Sequence, residues 1–243
     1  MRHIRIHTRQ PLADGARIEL EQSAARHVVR VLRQRAGQDL VLFNGDGLEY
    51  AATITAAGPG DRCSVLVGSS NRPATESPLS ISLVQGISRG DRMDWCIQKS
   101  CELGVTGIWP VFTARSGVQL TAKRAEKRVQ HWQNIAISAC EQSGRVKVPT
   151  VHCPVKLQDL DWPAGQRFYL DPSARIGPLE IQAPQDRGIV IVIGPEGGLE
   201  PREIDWLQHK DSTGLALGPR VLRTETAGPA AIAALQALFG DWK

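Results

Sequence analysis

The sequence has no long apolar run and no cysteine pair at metal-binding spacing. Its longest unbroken aliphatic run, Ile189 to Ile193, is far shorter than the roughly 20 apolar residues that cross a bilayer. We therefore predict no membrane-spanning helix. The five cysteines are odd in number and include no Cys-x-x-Cys pair, which indicates neither a disulfide framework nor a zinc site. His152 and Cys153 are adjacent but supply too few ligands for a metal, so we predict no metal site.

Two further kinds of signal are missing. The first ten residues, MRHIRIHTRQ, carry charges but no apolar segment, so a secretory signal is absent and we expect a cytoplasmic location. The chain also lacks both GxGxxG and GxxxxGK[ST], the glycine-rich motifs that cradle phosphates. A nucleotide site of either standard type is therefore not predicted.

Positive charge is concentrated near the N-terminus. The whole chain has a net charge of only +4, but the first 35 residues contain eight arginines and three acidic residues. Arginine outnumbers lysine 22 to 7, and the planar guanidinium suits both phosphate binding and stacking on bases. The pattern favours RNA binding, with a solvated basic surface as the alternative. The candidate RNA-binding residues are Arg2, Arg5, Arg9, Arg26, Arg30 and Arg33.

The pattern of strands and helices changes near residue 79. Before it, short strands at 16–20, 39–45, 49–57 and 62–68 surround one helix at 23–33, which predicts a small antiparallel barrel. Ser23 is a plausible N-cap, and Arg26, Arg30 and Arg33 would share one helix face. Residues 69–78 are polar, contain two prolines and have the character of a linker.

From residue 79 the chain alternates strands and helices, which predicts an α/β domain with a parallel sheet. The predicted strands are 79–87, 107–112, 167–171, 188–194 and 214–218. The predicted helices are 91–103, 121–143 and 201–209, followed by an alanine-rich helix at AAIAALQALFG.

Two loops follow strands in this region. In IGPEGGLEPREID, three glycines let the backbone approach a ligand closely, while Glu196, Glu200 and Glu203 discourage a polyphosphate. A ligand that is neutral or cationic at the loop fits better, with plain tight turns as the alternative. In LGPRVLRTETAG, arginines, threonines and Glu225 precede a buried helix. Burying these groups is costly unless they pair or act, so a structural Arg–Glu pair is the alternative to a functional site.

Together, QKSCELGV, ACEQSGR, IGPEGGL and LGPRVLRTETA resemble the ribosomal RNA small subunit methyltransferase E family of the SPOUT superfamily. The resemblance implies a PUA-like RNA-binding β-barrel at residues 1–72, a linker at 73–78 and a SPOUT α/β domain with a deep trefoil knot at 79–243. One departure is Gly228-Pro229, early in the last helix, which leaves the start of that helix open.

The same resemblance implies a cofactor, a reaction and partners. The cofactor is S-adenosyl-L-methionine, and the product is N3-methyluridine at position 1498 of 16S rRNA in the small ribosomal subunit. Family members act as homodimers, with no membrane and no metal. The matching cofactor-binding positions are Leu170, Ile193, Gly194, Pro195, Glu196, Gly197, Gly198, Leu217, Gly218, Leu222, Arg223, Thr224 and Thr226.

Methylation of uridine N3 requires loss of the N3 proton or stabilisation of the resulting anion. Candidate bases are Glu225, Glu196 and Asp171. Arg223 or Arg220 could stabilise the anion, and we favour Arg223, so the predicted catalytic residues are Arg223 and Glu225. The alternatives are a non-catalytic RNA-binding assembly factor and a SPOUT enzyme that methylates tRNA or a ribose 2′-oxygen.

Overall fold

The computed structural model describes residues 4–58, 60–118, 120–184, 186 and 188–242. The chain divides into two compact units. Unit 1 comprises the residues up to Glu76 together with Cys140–Val148, and unit 2 comprises Ser77–Ala139 together with the residues from Pro149 onward. In the described ranges, no helix has the length and apolarity required to cross a membrane.

Unit 1 is built on a five-stranded sheet in the order β1-β3-β4-β5-β2. The strands are β1 (Arg5–His7), β2 (Arg17–Glu19), β3 (Asp39–Phe43), β4 (Glu49–Gly58) and β5 (Arg62–Asn71). Alternation along β4 buries Tyr50, Ala52 and Ile54, as expected for a strand with one covered face. Strand β1 was not predicted, and it runs parallel to β3. The sheet is therefore mixed, and the prediction of purely antiparallel pairing is wrong.

The helix of unit 1 is shorter and less regular than predicted. Helix α1 spans Gln22–Arg26 and continues as a π-helical turn over His27–Val31. The residue before its first turn is Glu21, so Ser23 is not the N-cap. Arg33 lies beyond the helix with φ 55°. The wider π turn changes the angular spacing of side chains, and the prediction of three arginines on one regular helix face is wrong.

Segment 140–148, predicted as part of the C-terminal domain, packs in unit 1. The side chain of Arg145 is 5% exposed and its Nη2 lies 2.9 Å from Oε2 of Glu76. The other oxygen of Glu76 accepts the N–H groups of Val146 and Lys147, each at 3.0 Å. Cys140 is buried beside Phe43 and Val146, and burial raises the pKa of its thiol to about 12. This packing explains why the segment groups with unit 1.

Unit 2 contains a parallel sheet in the order β12-β10-β11-β6-β7-β8, with β9 also paired to β7. The strands are β6 (Ser80–Gly86), β7 (Gly107–Phe112), β8 (Thr150–Val151), β9 (Val155–Lys156), β10 (Gln166–Leu170), β11 (Gly188–Ile193) and β12 (Ser212–Leu215). Every residue of β11 is buried, as expected for a strand covered on both faces. The prediction of an α/β domain with a parallel sheet is confirmed.

The described part of unit 2 also contains four α-helices. They are α2 (Arg92–Glu102), α3 (Ala122–Ser143, whose last four residues group with unit 1), α4 (Pro201–His209) and α5 (Thr224–Phe239). Helix α5 begins at Thr224, so Pro229 lies inside it. The structure thus fixes the helix start that the sequence left open, ahead of the alanine-rich stretch AAIAALQALFG. Strand β12 ends at Leu215. Residues 216–218, which were predicted as part of this strand, therefore belong to the following loop. The trefoil knot stays a prediction.

The strand order changes direction at the centre of this sheet. The chain passes from β6 to β7 and β8 on one side, whereas β11, β10 and β12 lie on the other side of β6. In open parallel sheets, ligands bind beside the carboxyl ends of strands at such a switch point. A ligand-binding site is therefore expected among the loops that follow β6, β10, β11 and β12.

Candidate cofactor and active site

A cavity of about 530 Å³ lies at the carboxyl ends of β10, β11 and β12. Its volume is within the range of small-molecule sites. Twelve of the thirteen predicted cofactor-binding residues line it, and only Thr226, half-buried in the first turn of α5, does not. The lining residues that were predicted are Leu170, Ile193, Gly194, Pro195, Glu196, Gly197, Gly198, Leu217, Gly218, Leu222, Arg223 and Thr224. The sheet thus brings three separate loops together.

Sequence reasoning missed several residues of the cavity wall. Arg92, at the start of α2, lines the cavity and faces the glycine loop, although the two are about a hundred residues apart in the sequence. No local pattern around Arg92 indicated this position. Other lining residues not singled out for the cofactor are Asp171, Pro172, Leu199, Leu215, Arg220, Val221, Glu225 and Ala227.

Close backbone packing shapes the loop of residues 194–198. A Cβ atom on Gly194 would lie 2.9 Å from the carbonyl carbon of Gly198, and Gly198 itself has φ +70°. Glycine is required at both positions, for space and for backbone conformation respectively. Beside Gly197 the space is taken by Arg115, whose Nη1 donates to the Gly197 carbonyl at 2.9 Å. The glycines therefore determine the conformation of the loop itself, and they also leave space in the cavity.

A buried network of hydrogen bonds connects the loop of residues 194–198 to helix α5. The hydroxyl of Thr224 donates to the carbonyl of Gly194 at 2.6 Å and accepts from Nε2 of Gln85 at 3.0 Å. Gln85 is fully buried near the end of β6. Buried polar groups are costly unless they are hydrogen-bonded, so this network specifies one arrangement of the three segments. Gln85 was missed, although a glutamine in the apolar stretch ISLVQGI was a usable signal.

Glu196, in the loop of residues 194–198, and Glu203, in the following helix, both accept hydrogen bonds that stabilise the fold. Glu196 accepts from Nη1 of Arg92 at 2.8 Å and from the N–H of Arg89 at 3.0 Å. Burial opposes ionisation of Glu196, but these bonds and the Arg92 charge outweigh it and lower its pKa. Glu203 is buried and accepts the N–H groups of Ala114 and Glu200, both at 2.8 Å. The lowered pKa makes Glu196 a poor proton acceptor.

The other two candidate bases differ in how their oxygens are used. Oδ1 of Asp171 accepts from the N–H and the hydroxyl of Ser173, at 2.8 and 2.7 Å. Oε1 of Glu225 lies 3.9 Å from Nε of Arg92. Oε2 of Glu225 is buried and has no hydrogen-bond partner among the described residues. A structural Arg–Glu pair therefore exists, but its arginine comes from α2 rather than from the RTET loop.

The composition of the cavity suits S-adenosylmethionine. Ile193, Leu217 and Leu222 provide apolar surface for an adenine ring, and the carboxylate of Asp171 favours a cationic ligand. Arg220 and Arg223 are exposed at the cavity edge. In the ranges that the structure describes, no group of three or more His, Cys, Asp or Glu side chains is placed to hold a metal.

The candidate RNA-binding arginines of unit 1 fall into three groups. Arg2 lies outside the described residues. Arg5 forms an ion pair with Glu49, and Arg30 forms one with Asp61. Arg9, Arg26 and Arg33 are exposed and form no ion pair within the described part of the chain. These three have guanidinium groups available to RNA phosphates.

Comparison with known families identifies two regions of the chain. The family model described as an RNA methyltransferase domain matches residues 75–236, and the RNA methyltransferase PUA domain matches residues 20–67. The ribosomal RNA small subunit methyltransferase E of Bacillus subtilis is 32% identical over 94% of this chain and 93% of its own length. The protein of the same name from Buchnera aphidicola subsp. Schizaphis graminum is 34% identical over 92% of each chain.

Two solved structures are similar over nearly the whole chain. A putative methyltransferase from Legionella pneumophila, in complex with S-adenosylmethionine, is 38% identical with a TM-score of 0.93 and covers 99% of this chain and 100% of its own. A ribosomal RNA small subunit methyltransferase E from Neisseria gonorrhoeae, also bound to S-adenosylmethionine, is 38% identical with a TM-score of 0.92 and full coverage of both chains. The prediction of a PUA-like domain followed by a methyltransferase domain of the α/β class is confirmed.

Proposed function

The chain belongs to the ribosomal RNA small subunit methyltransferase E family, and from this premise we propose that it transfers a methyl group from S-adenosylmethionine to N3 of uridine 1498 in 16S rRNA. The observation that carries the proposal is the cavity at the carboxyl ends of β10, β11 and β12, built from glycine loops without a phosphate-binding motif. The two relatives that bind S-adenosylmethionine support it, because they are similar over nearly the whole chain.

The residues of the cavity have distinct tasks in this reaction. S-adenosylmethionine, when bound, supplies an electrophilic methyl group on a cationic sulfur. The loop of residues 194–198, fastened by Thr224, fixes the cavity wall against which reactants are oriented. Arg223, exposed on the wall, places a cation where negative charge develops on a uracil oxygen. Exposed arginines of unit 1 bind RNA phosphates.

Two further proposals follow from the family. We propose a homodimer, in line with the exposed apolar side chain of Val221 at the cavity edge, which is 81% exposed in the single chain. We propose a cytoplasmic location because the substrate is ribosomal RNA.

The first prediction concerns the product. Small ribosomal subunits that lack the modification, incubated with labelled S-adenosylmethionine and this protein, are expected to gain one methyl group at N3 of a single uridine, identified by nucleoside mass spectrometry. S-adenosylmethionine at about 100 times its Kd should stabilise the fold by roughly 2.7 kcal/mol in a thermal shift assay, whereas ATP should not. Label on tRNA or on a ribose 2′-oxygen would favour the related SPOUT activities. Binding of RNA without transfer would favour an assembly factor.

The second prediction concerns RNA binding by unit 1. Replacing Arg26 and Arg33 with glutamine should weaken RNA binding and flatten its salt dependence, because each lost phosphate contact removes about 0.7 to 0.9 from the log–log slope. Fluorescence anisotropy at several salt concentrations measures this slope. The matched control replaces Arg124 and Arg128, which are exposed on α3. An equal loss in both double variants would mean that the contact is not specific to unit 1.

A further inference from the structure

Arg92 and Glu225 form an incompletely satisfied pair in the cavity wall. They come from the starts of two different helices, α2 and α5, and both line the cavity. Nε of Arg92 and Oε1 of Glu225 are 3.9 Å apart, a distance too long for a direct hydrogen bond. The two side chains therefore leave hydrogen-bonding capacity unused next to each other.

The guanidinium of Arg92 is held in place by a hydrogen bond, yet not all of its N–H donors have acceptors among the described residues. Its Nη1 donates to Glu196 at 2.8 Å, which holds the group in place. A guanidinium has five N–H donors, so others are available to a ligand. The side chain is 44% exposed, which makes those donors accessible from the cavity. Arg92 thus presents a positioned cation, in contrast to Arg223, which has no ion pair among the described residues.

The carboxylate of Glu225 is an acceptor that needs donors. Its side chain is 15% exposed, and Oε2 has no partner in the described chain. A buried acceptor without a donor costs free energy, which a suitable ligand group recovers. Rotation about the last side-chain bond exchanges the two oxygens readily, because that torsion has a broad, roughly two-fold profile. Either oxygen can therefore face a ligand.

We propose that Arg92 and Glu225 together read the Watson–Crick edge of the target base and select uracil over cytosine. Glu225 accepts the N3–H group, and Arg92 donates to the adjacent carbonyl oxygen O4. The inference rests on the proposed function, which it deepens by assigning the proton acceptor and the basis of base selection. It makes Glu225, rather than Glu196 or Asp171, the base.

Cytosine mismatches this pair at both positions. Its N3 carries a lone pair in place of a hydrogen, so Glu225 faces another acceptor. Its C4 carries an amino group in place of a carbonyl oxygen, so a donor faces the donors of Arg92. Sites built to hydrogen-bond one substrate reject an analogue that leaves their polar groups unpaired, by factors on the order of 10⁴. Base selection is therefore expected to be strong.

The same contacts serve the chemical step. The N3–H bond breaks, its proton passes to the Glu225 carboxylate and its electron pair stays on nitrogen, and this pair forms the new N–CH₃ bond. The carbon–sulfur bond of the donor breaks, and its electron pair stays on sulfur. Negative charge that develops on O4 as the proton leaves is stabilised by Arg92, which is already in place and acts alongside Arg223.

The test compares Arg92→Gln and Glu225→Gln with the controls Arg128→Gln and Glu126→Gln, which alter exposed residues of α3. The substrates are small subunits reconstituted with 16S rRNA that carries either uridine or cytidine at the methylated position. We expect each site variant to lose about 100-fold or more in kcat/KM on uridine and to lose most of the uridine preference. S-adenosylmethionine affinity, measured by calorimetry, should stay within about threefold of the wild type, which corresponds to about 0.65 kcal/mol.

Two further readouts separate chemistry from structure. Turnover of Glu225→Gln should rise with pH more steeply than wild-type turnover, because hydroxide must then remove the proton. Arg92→Lys should recover part of the activity, since lysine keeps the charge but not the guanidinium geometry.

The outcomes distinguish this inference from the proposed function. If the wild type does not methylate uridine N3, the proposed function fails and the inference fails with it. If the wild type is active but both site variants keep its rate and its uridine preference, only the inference is wrong. Loss of S-adenosylmethionine affinity in Glu225→Gln, with base preference unchanged, would assign Glu225 to the cofactor and overturn the inference.

Discussion

Gly86→Ala is expected to weaken S-adenosylmethionine binding roughly 100-fold, which corresponds to about 2.7 kcal/mol. Gly86 is the last residue of β6, and its backbone lies directly against the loop after β11. A Cβ atom there would stand 2.6 Å from the nitrogen of Pro195 and 2.9 Å from the carbonyl carbon of Gly194. The loop must move away, because both contacts are with atoms held by the backbone or a proline ring. Such overpacking costs about 1–3 kcal/mol or more.

Calorimetry on the purified variant measures this loss of affinity. The control is Gly58→Ala, since apart from its chain neighbours no atom of the described residues lies within 4 Å of a Cβ atom built at Gly58. That variant should bind S-adenosylmethionine like the wild type. Circular dichroism shows whether Gly86→Ala keeps its secondary structure. Undiminished affinity in a folded Gly86→Ala protein would mean that the loop of residues 194–198 does not contribute to binding.

Thr224→Val is expected to lower the free energy of unfolding by about 1–3 kcal/mol and to weaken cofactor binding as well. Valine has nearly the shape of threonine but lacks the hydroxyl that donates to the Gly194 carbonyl and accepts from Gln85. Gln85 is completely buried, so its amide loses a partner that water cannot replace. The contact between α5 and the loop after β11 then loses its specific hydrogen bonds.

Thr224→Ser provides the matched control, because it keeps the hydroxyl and removes only a methyl group. Urea unfolding with and without S-adenosylmethionine measures both quantities. The serine variant should retain most of the stability and the affinity. If valine and serine behave alike, the hydroxyl is not what fastens the loop, and Thr224 contributes through packing alone.

Local periodicity was sufficient for most elements of unit 2. The stretch PREIDWLQH was predicted as a helix and forms α4 over Pro201–His209, with proline in its first turn. The predicted strand at 107–112 coincides with β7, and the apolar stretch IVIVI forms the buried strand β11 together with Gly188. In each case the signal is carried by neighbouring residues, either as a hydrophobic period or as a terminating glycine or proline.

Elements that depend on distant partners were missed or misplaced. Strand β1 has three residues, of which only Ile6 is buried, and it is defined by pairing with β3. The π-helical turn after α1 interrupts the regular spacing that was predicted for the arginines. Segment 140–148 groups with unit 1 because Glu76 binds its backbone and Arg145. None of these contacts leaves a periodic trace in the sequence.

The sequence by itself determined the α/β class of unit 2, the family, and twelve of the residues that line the cavity. It could do so because strand and helix periods, glycine loops and family motifs are properties of short stretches. Only the tertiary structure decided that Arg92 stands beside Glu196 and Glu225, that Gly86 and Gln85 support the loop after β11, and that Arg5 and Arg30 are already paired. These relations join residues far apart in the chain, and those of unit 2 arise because parallel strands bring the ends of separate segments to one edge of a sheet.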